Sequence, residues 1–248
     1  MAEIEQLIQI RKAKEEKIKE YGMKIRPDRF KYNYTLQQAE TLKDGLENIS
    51  LAGRIMAKRR MGKITFLDIQ DIEGKIQAVI KKGDIGEDEY SKLQEIIDIG
   101  DFIGVRGSIF TTQAGQKSIK VDSYNFLGKA YRPLPEKFHG LNSVEQQYRE
   151  RHLDLIMNQK TRKRFLLRSK FLKLFRKYMD EHGFIEVETP VLQNKASGAL
   201  AKPFIAHHNA HDIDVYLRIA AELTLKKLIV GGFTNIYEVA RNFRNEGI

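Results

Sequence analysis

Between Ser50 and Phe126 the chain is cut into short segments by evenly spaced turn signals, and this constrains the fold more than any other feature. Met61-Gly62, Glu73-Gly74, Gly100 and Ala114-Gly115 each mark a reversal. The segments they separate, Ser50–Lys58, Lys63–Asp71, Lys75–Lys81, Phe102–Thr111 and Lys117–Phe126, read as strands. A helix is predicted near Glu87–Ile99, between the third strand and the fourth.

Five strands with a helix after the third is the order of an OB-fold barrel. Such barrels commonly bind single-stranded nucleic acid on the face of the second and third strands. Phe66 lies on the second, Gln77 on the third, and Arg59 at the end of the first. An aromatic ring can stack on an unpaired base, a glutamine can donate and accept at a base edge, and an arginine can reach base or phosphate. A barrel also needs core aromatics, so Phe66 alone reads as core. The basic run Lys58-Arg59-Arg60 beside it favours base binding.

Charge points the same way. Lys and Arg number 43 against 33 Asp and Glu, a net charge of +10. A basic chain most often meets a polyanion, either nucleic acid or an anionic membrane, with a merely solvated basic surface as the alternative. There is no cysteine, which excludes disulfides and thiolate metal sites and leaves a reducing cytoplasm as the default compartment. The N-terminus, MAEIEQLIQIRKAKEEK, lacks an apolar run of signal-peptide length, and no segment is long enough to span a bilayer, so no membrane role is expected. Ala2 to about Tyr21 reads as a highly charged helix, either an RNA-contacting arm or, more commonly, a helix lying on its own domain. Thr35 is placed to cap a short helix over Leu36–Leu46.

The domain organisation expected is an N-terminal helical extension over 1–47, the barrel over 48–127, a linker over 128–142 and a second domain over 143–248. Pro133, Pro135 and Gly140 mark the linker. Ser143 is predicted to cap a helix carrying Tyr148, His152, Leu153 and Ile156. A longer helix, about Thr161 to Glu181, gathers Phe165, Leu166, Leu172, Phe175 and Met179 on one face and Arg162, Arg164, Arg168, Lys170, Lys173 and Lys177 on the other. Strands are predicted over Gly183–Leu192, Ala201–His208 and Ile213–Ile219, the last two as a hairpin, then a helix over Glu222–Val230 and a final strand from Asn235. Helices packed on an antiparallel sheet describe an α+β domain. Neither a Walker A motif nor a G-x-G-x-x-G run occurs. His207, His208 and His211 suggest a metal only weakly, because adjacent strand residues point to opposite faces, and no metal ligand is assigned.

Gly198, Glu222 and Arg244 form a more informative set. A glycine allowing close backbone approach, a carboxylate at a helix start and an arginine on the next strand can hold the amine and carboxylate of an amino acid together. A glycine turn with a helix-start glutamate favoured by the dipole is the alternative. The stretch NIYEVARNFRNEGI delivers Arg244 and Glu246 from a strand into a turn, where an arginine can grip phosphate or carboxylate bidentately.

In that order, a barrel, then GFIEVETPVL, then FRNE closing a strand, the chain resembles class II aminoacyl-tRNA synthetases with an N-terminal anticodon-binding domain. GFIEVETP looks like their motif 1 and NFRNEG like the start of motif 2. RPLPEKFHGL, YRERHLDLI, SGALAKPFIAHHNAHDIDVYLRIAAEL and LKKLIVGGF resemble the lysyl-tRNA synthetases specifically, and the resemblance runs from about Phe30 to Ile248. It implies that Phe66 stacks on a uridine of the lysine anticodon while Gln77 and Arg59 read its neighbourhood. It implies that Gly198 and Glu222 hold the α-amino group of lysine, that Arg244 bridges substrate carboxylate and ATP α-phosphate, and that Glu246 lies near the adenine. The partners implied are tRNA(Lys), lysine, ATP as substrate, and a second copy in a homodimer built through motif 1.

Ala221, Lys202 and Thr224 stand where the family usually has proline, arginine and tyrosine, and Glu222 stays in register. By the same resemblance the rest of motif 2, motif 3, the magnesium ligands and the carboxylate for the lysine ε-amine are expected beyond Ile248. The chain as given is therefore expected to bind the anticodon loop without activating lysine alone. A non-catalytic RNA-binding module derived from a synthetase, and a generic single-strand binder on the same barrel, stay open as alternatives.

Overall fold

The computed structural model describes residues 2–135, 141, 143–195 and 200–247. The chain divides into two compact units, Met1–Gln159 and Lys160–Ile248.

In the first unit, strands β1 (Ile49–Met61), β2 (Ile64–Gln70), β3 (Lys75–Lys81), β4 (Phe102–Thr111) and β5 (Lys117–Gly128) close into a barrel of order β1-β2-β3-β5-β4. Closure depends on the length of β1. Its first half pairs with β4 and its second with β2, with a register shift between Ile55 and Ala57 where it bends from one neighbour to the other. The alternation seen in the sequence then sorts the side chains. Thr65, Leu67 and Ile69 point inward and are buried with Leu51, Ile55, Ala78, Ile80, Ile103, Val105, Ile119 and Val121, while Phe66 and Asp68 take the outer face. Each fully buried Ile or Leu contributes roughly 1.5–3 kcal/mol, so these inward positions hold the barrel together. At Gly107, where β4 and β5 shift register, a Cβ would sit 1.7 Å from the Lys120 carbonyl oxygen, and only glycine fits.

Helix α4 (Glu87–Ile96) buries Tyr90, Leu93 and Ile96 against the barrel; a four-residue helix, α3 (Lys82–Ile85), which the sequence pattern does not signal, leads into it. The N-terminal helix α1 (Ala2–Glu20) lies on its own domain. Ile18 is fully buried, and Lys14 and Lys17 pair with Asp98 and Glu95, each at 2.7 Å. The Lys129 side chain, without exposure, donates to the Ile96 carbonyl (2.6 Å), Asp98 (2.6 Å) and Asp101 (2.8 Å), fixing the end of β5 to the turn after α4. A buried cation is tolerable only with all its donors engaged.

Thr35 caps α2 with a reciprocal capping box through Gln38, but α2 covers Leu36–Glu40 and not the longer span expected, because Thr41 already turns the chain and bonds back to Gln38. Ser143 caps α5 (Val144–Arg149) through the Gln146 amide, and Glu150, with φ −107° and ψ 47°, breaks the expected single helix into α5 and α6 (Arg151–Met157).

In the second unit, α7 (Gln159–Glu181) is followed by β6 (Ile185–Glu186), β7 (Leu192–Gln193), β8 (Ile205–His208), β9 (Ile213–Leu217), α8 (Glu222–Val230) and β10 (Ile236–Tyr237). β7, β9 and β8 form an antiparallel sheet with the expected β8–β9 hairpin, whereas β10 pairs with β6 in parallel. The final strand is thus two residues long and not the full stretch from Asn235. Beyond it the backbone makes isolated bonds, from the Phe243 amide to the Arg218 carbonyl (3.0 Å) and from the Asn245 amide to the Lys202 carbonyl (2.8 Å).

The expected apolar face of α7 also divides. Leu172, Phe175 and Met179 are half-buried, with Phe175 edge-on to Tyr237, but Phe165 and Leu166 are exposed. The side chains by which α7 meets β6 and β10, Phe175 against Tyr237 and Arg176 against Glu186, lie in its C-terminal half.

Candidate functional site

The three barrel residues singled out for base binding share one outer face. Arg59 stands directly opposite Phe66 across β1 and β2, and Phe66 opposite Val79 across β2 and β3; one pair along, Asp68 faces Gln77, which faces Ser118 on β5. Directly paired residues point the same way, so Arg59, Phe66, Asp68 and Gln77 form a continuous patch. Arg59 donates to Asp68 Oδ1 at 3.1 Å, an exposed pair on the face that carries Phe66 and one released at little energetic cost. Asp68 was not singled out in the sequence; the alternation along β2 that places Phe66 outward places Asp68 with it.

Gln77 is less open than expected. It is 5% exposed, and its Oε1 accepts from Ser118 Oγ at 3.3 Å, so the carbonyl end of the amide is engaged. Of the basic run, Arg59 alone lies on the Phe66 face. Lys58 turns away, donating to the Gln94 and Ile97 carbonyls at 3.2 and 3.1 Å, and burial, reinforced by the Lys14 charge, pushes its ammonium down to about 8. Arg60 folds back to the Gly62 carbonyl. The period of two that makes β1 a strand is the reason a run of three cations cannot share a face.

In the second unit, Arg244 is exposed and has no ion-pair partner among the described residues. Glu246 accepts from the Lys202 amide at 3.2 Å, so the turn after Arg244 is docked on that residue. Glu222 opens α8, exposed, and pairs with Lys226 at 2.6 Å; that hydrogen bond holds its carboxyl below the usual range. Gly198 lies outside the described residues. His207 sits between Asp212 (3.2 Å) and Asp214 (3.3 Å), and the His208 ring faces that of His211. Among the described residues no group of three or more His, Asp or Glu is placed to hold a metal ion.

Residues 143–248 match the family described as class II tRNA synthetases (D, K and N), and residues 49–127 match the OB-fold nucleic acid binding domain. A protein named Lysine--tRNA ligase from Listeria welshimeri is 50% identical over 238 residues, covering 94% of this chain and 48% of that relative. The chain carries a class II tRNA synthetase domain behind an OB-fold domain. Other relatives of this synthetase family carrying the same name, from Carboxydothermus hydrogenoformans and Streptococcus agalactiae, are 48% identical over 250 residues and 53% identical over 215. They are covered to 51% and 43% of their length, against 99% and 87% of this chain, so the chain spans about half the length of the curated relatives it matches. The class II segment contains Glu222, Arg244 and Glu246, and the OB-fold segment contains Arg59, Phe66 and Gln77.

Among residues that sequence reasoning passed over, Thr189, Arg218 and Glu238 form a buried network in the class II segment. A charged residue directly after an alternating strand, at Arg218, was the signal available for it.

Proposed function

We propose that this chain serves the ATP-dependent joining of lysine to tRNA(Lys), its barrel reading the anticodon and its second unit gripping lysine and ATP. The observation that carries the reading is the near half-identity to proteins named lysine–tRNA ligase, which runs through the barrel and the class II segment alike.

On the barrel, a uridine of the anticodon stacks on Phe66. Arg59 exchanges Asp68 for a phosphate or base edge, and the amide NH2 of Gln77 donates to a base carbonyl, its own carbonyl being held by Ser118. In the second unit, the exposed guanidinium of Arg244 spans the lysine carboxylate and the ATP α-phosphate. Glu222, kept ionised, exchanges Lys226 for the α-ammonium of the substrate, with Gly198 beside it. A carboxylate oxygen of lysine attacks the α-phosphorus, the bond to the β-phosphate breaks, and pyrophosphate leaves. The 3′-terminal hydroxyl of tRNA then attacks the acyl carbon and releases AMP. Arg244 neutralises charge gathering on the α-phosphate and holds the reactants in line. Glu246 lies towards the adenine. Class II chemistry implies magnesium, but the described residues offer no ligand set for it, and no step above depends on one.

The exposed side chains Leu167, Phe171, Leu174 and Tyr178 of α7 support a homodimer packed through motif 1. No helix among the described residues is long and apolar enough to cross a membrane, and a cytoplasmic place is part of this reading.

Lysine-dependent exchange of pyrophosphate into ATP tests the reaction, measured in a protein of the relatives' full length that contains this chain. It is expected to fall by about 10²-fold or more in Arg244→Ala, the size of effect seen when one preorganised charge partner is removed. Exchange indifferent to Arg244, or driven equally by another amino acid, contradicts the proposal.

A further inference from the structure

Arg244 has no side-chain partner of its own among the described residues, so its direction is set by the backbone on either side. The Phe243 amide is held by the Arg218 carbonyl (3.0 Å), and the Asn245 amide by the Lys202 carbonyl (2.8 Å). Arg218 does more than lend a carbonyl. Its Nε donates to the Arg241 carbonyl (3.0 Å), and its Nη1 donates to the Thr189 carbonyl (3.0 Å) and Oγ1 (2.8 Å) and pairs with Glu238 Oε1 at 2.6 Å. Thr189 Oγ1 in turn donates to Glu238 Oε2 (2.7 Å), and the Arg218 amide donates to the Val191 carbonyl (2.9 Å).

The side chains of Arg218 and Glu238 are 4% and 5% exposed. Burying two charges is expensive unless both are fully hydrogen-bonded, and an apolar cluster of the same volume often stabilises a fold as well or better. What an apolar cluster cannot do is fix register. A planar guanidinium makes bonds in set directions, and here they tie residues 238 and 241 to residue 189, while the Arg218 backbone holds residues 191 and 243, so the segment cannot slide or roll without breaking several at once.

We infer that Arg218 is a positioning residue: with Glu238 and Thr189 it locks the extended run 238–243 so that Arg244 leaves it with its guanidinium directed at substrate. The inference rests on the reading that Arg244 grips carboxylate and phosphate. Arg218→Lys is the informative variant, because it keeps a cation opposite Glu238 but cannot also span Thr189 and the Arg241 carbonyl.

The probe is a non-hydrolysable sulfamoyl mimic of lysyl-adenylate, titrated into the wild-type chain, Arg218→Lys, Arg244→Ala and the double variant. Arg218→Lys is expected to weaken binding tenfold or more, and the double variant to bind no worse than Arg244→Ala, since a residue acting through Arg244 has nothing left to lose without it. Wild-type affinity in Arg218→Lys, or losses that multiply as for two independent sites, overturns the inference. Should the wild-type chain not bind the mimic, Arg244 does not hold the adenylate within this 248-residue span, and hydrogen exchange decides on the lock separately. The Phe243 amide is then expected to exchange at least tenfold faster in Arg218→Lys with the β8–β9 amides unchanged, and an unchanged Phe243 rate overturns it.

Discussion

Phe66 and Lys58 lie on neighbouring strands of one sheet, yet their side chains meet opposite environments, and each has a measurable consequence. Lys58 is held by carbonyls and depressed to about 8 by burial, while in an unfolded chain it titrates at about 10.4. Between those values the unfolded state carries more protons, so the stability Lys58 confers rises as pH rises through that window. The urea midpoint of the wild-type chain minus that of Lys58→Met is therefore expected to increase from pH 7.5 to pH 9.5; a flat difference contradicts the burial argument. Arg59 is the opposite case, an exposed cation whose pairing with Asp68 is worth little to the fold. Arg59→Ala should leave the urea midpoint nearly unchanged while weakening RNA binding. At this scale the sequence was legible as far as alternation carries: it placed Phe66 and Arg59 on one face. Alternation also turns Lys58 off that face, but it did not reveal that the carbonyls of Gln94 and Ile97, at the end of α4, receive it or that Ser118 engages Gln77, because both depend on which element lies alongside, a matter of barrel closure and not of local pattern.

Elements bounded by strong local signals were legible almost to the residue. β3 and β4 match the segments read from turn glycines, and α8 covers Glu222–Val230 as expected. The capping box at Thr35 set the start of α2 but not its end, which Thr41 fixes by bonding back to Gln38. Thr35→Ala is expected to lower stability by about 1 kcal/mol through loss of the cap, read as a urea midpoint shift. The Arg218 network is the element-scale feature least visible in sequence, because its partners come from residues far apart in the chain. Arg218→Met, which strands Glu238 as a buried charge, is expected to cost about 3–5 kcal/mol. A destabilisation under about 1 kcal/mol would show that water reaches the site.

The first unit is a barrel with one buried core, and the second has strands two to five residues long and an α7 with large exposed apolar side chains. The net charge of +10 makes polyanion binding salt-dependent, and removing one phosphate-binding cation should lower the slope of log affinity against log salt by about one. Arg59→Ala tests that for one residue. The central claim is that the barrel reads an anticodon by stacking on Phe66, and the most direct measurement is the affinity of the 248-residue chain for the tRNA(Lys) anticodon stem-loop, with and without Phe66→Ala. The account predicts that Phe66→Ala weakens binding by about 1–3 kcal/mol, and that replacing the central uridine weakens binding of the wild-type chain to a comparable degree. Equal affinity for both proteins and both loops would contradict it.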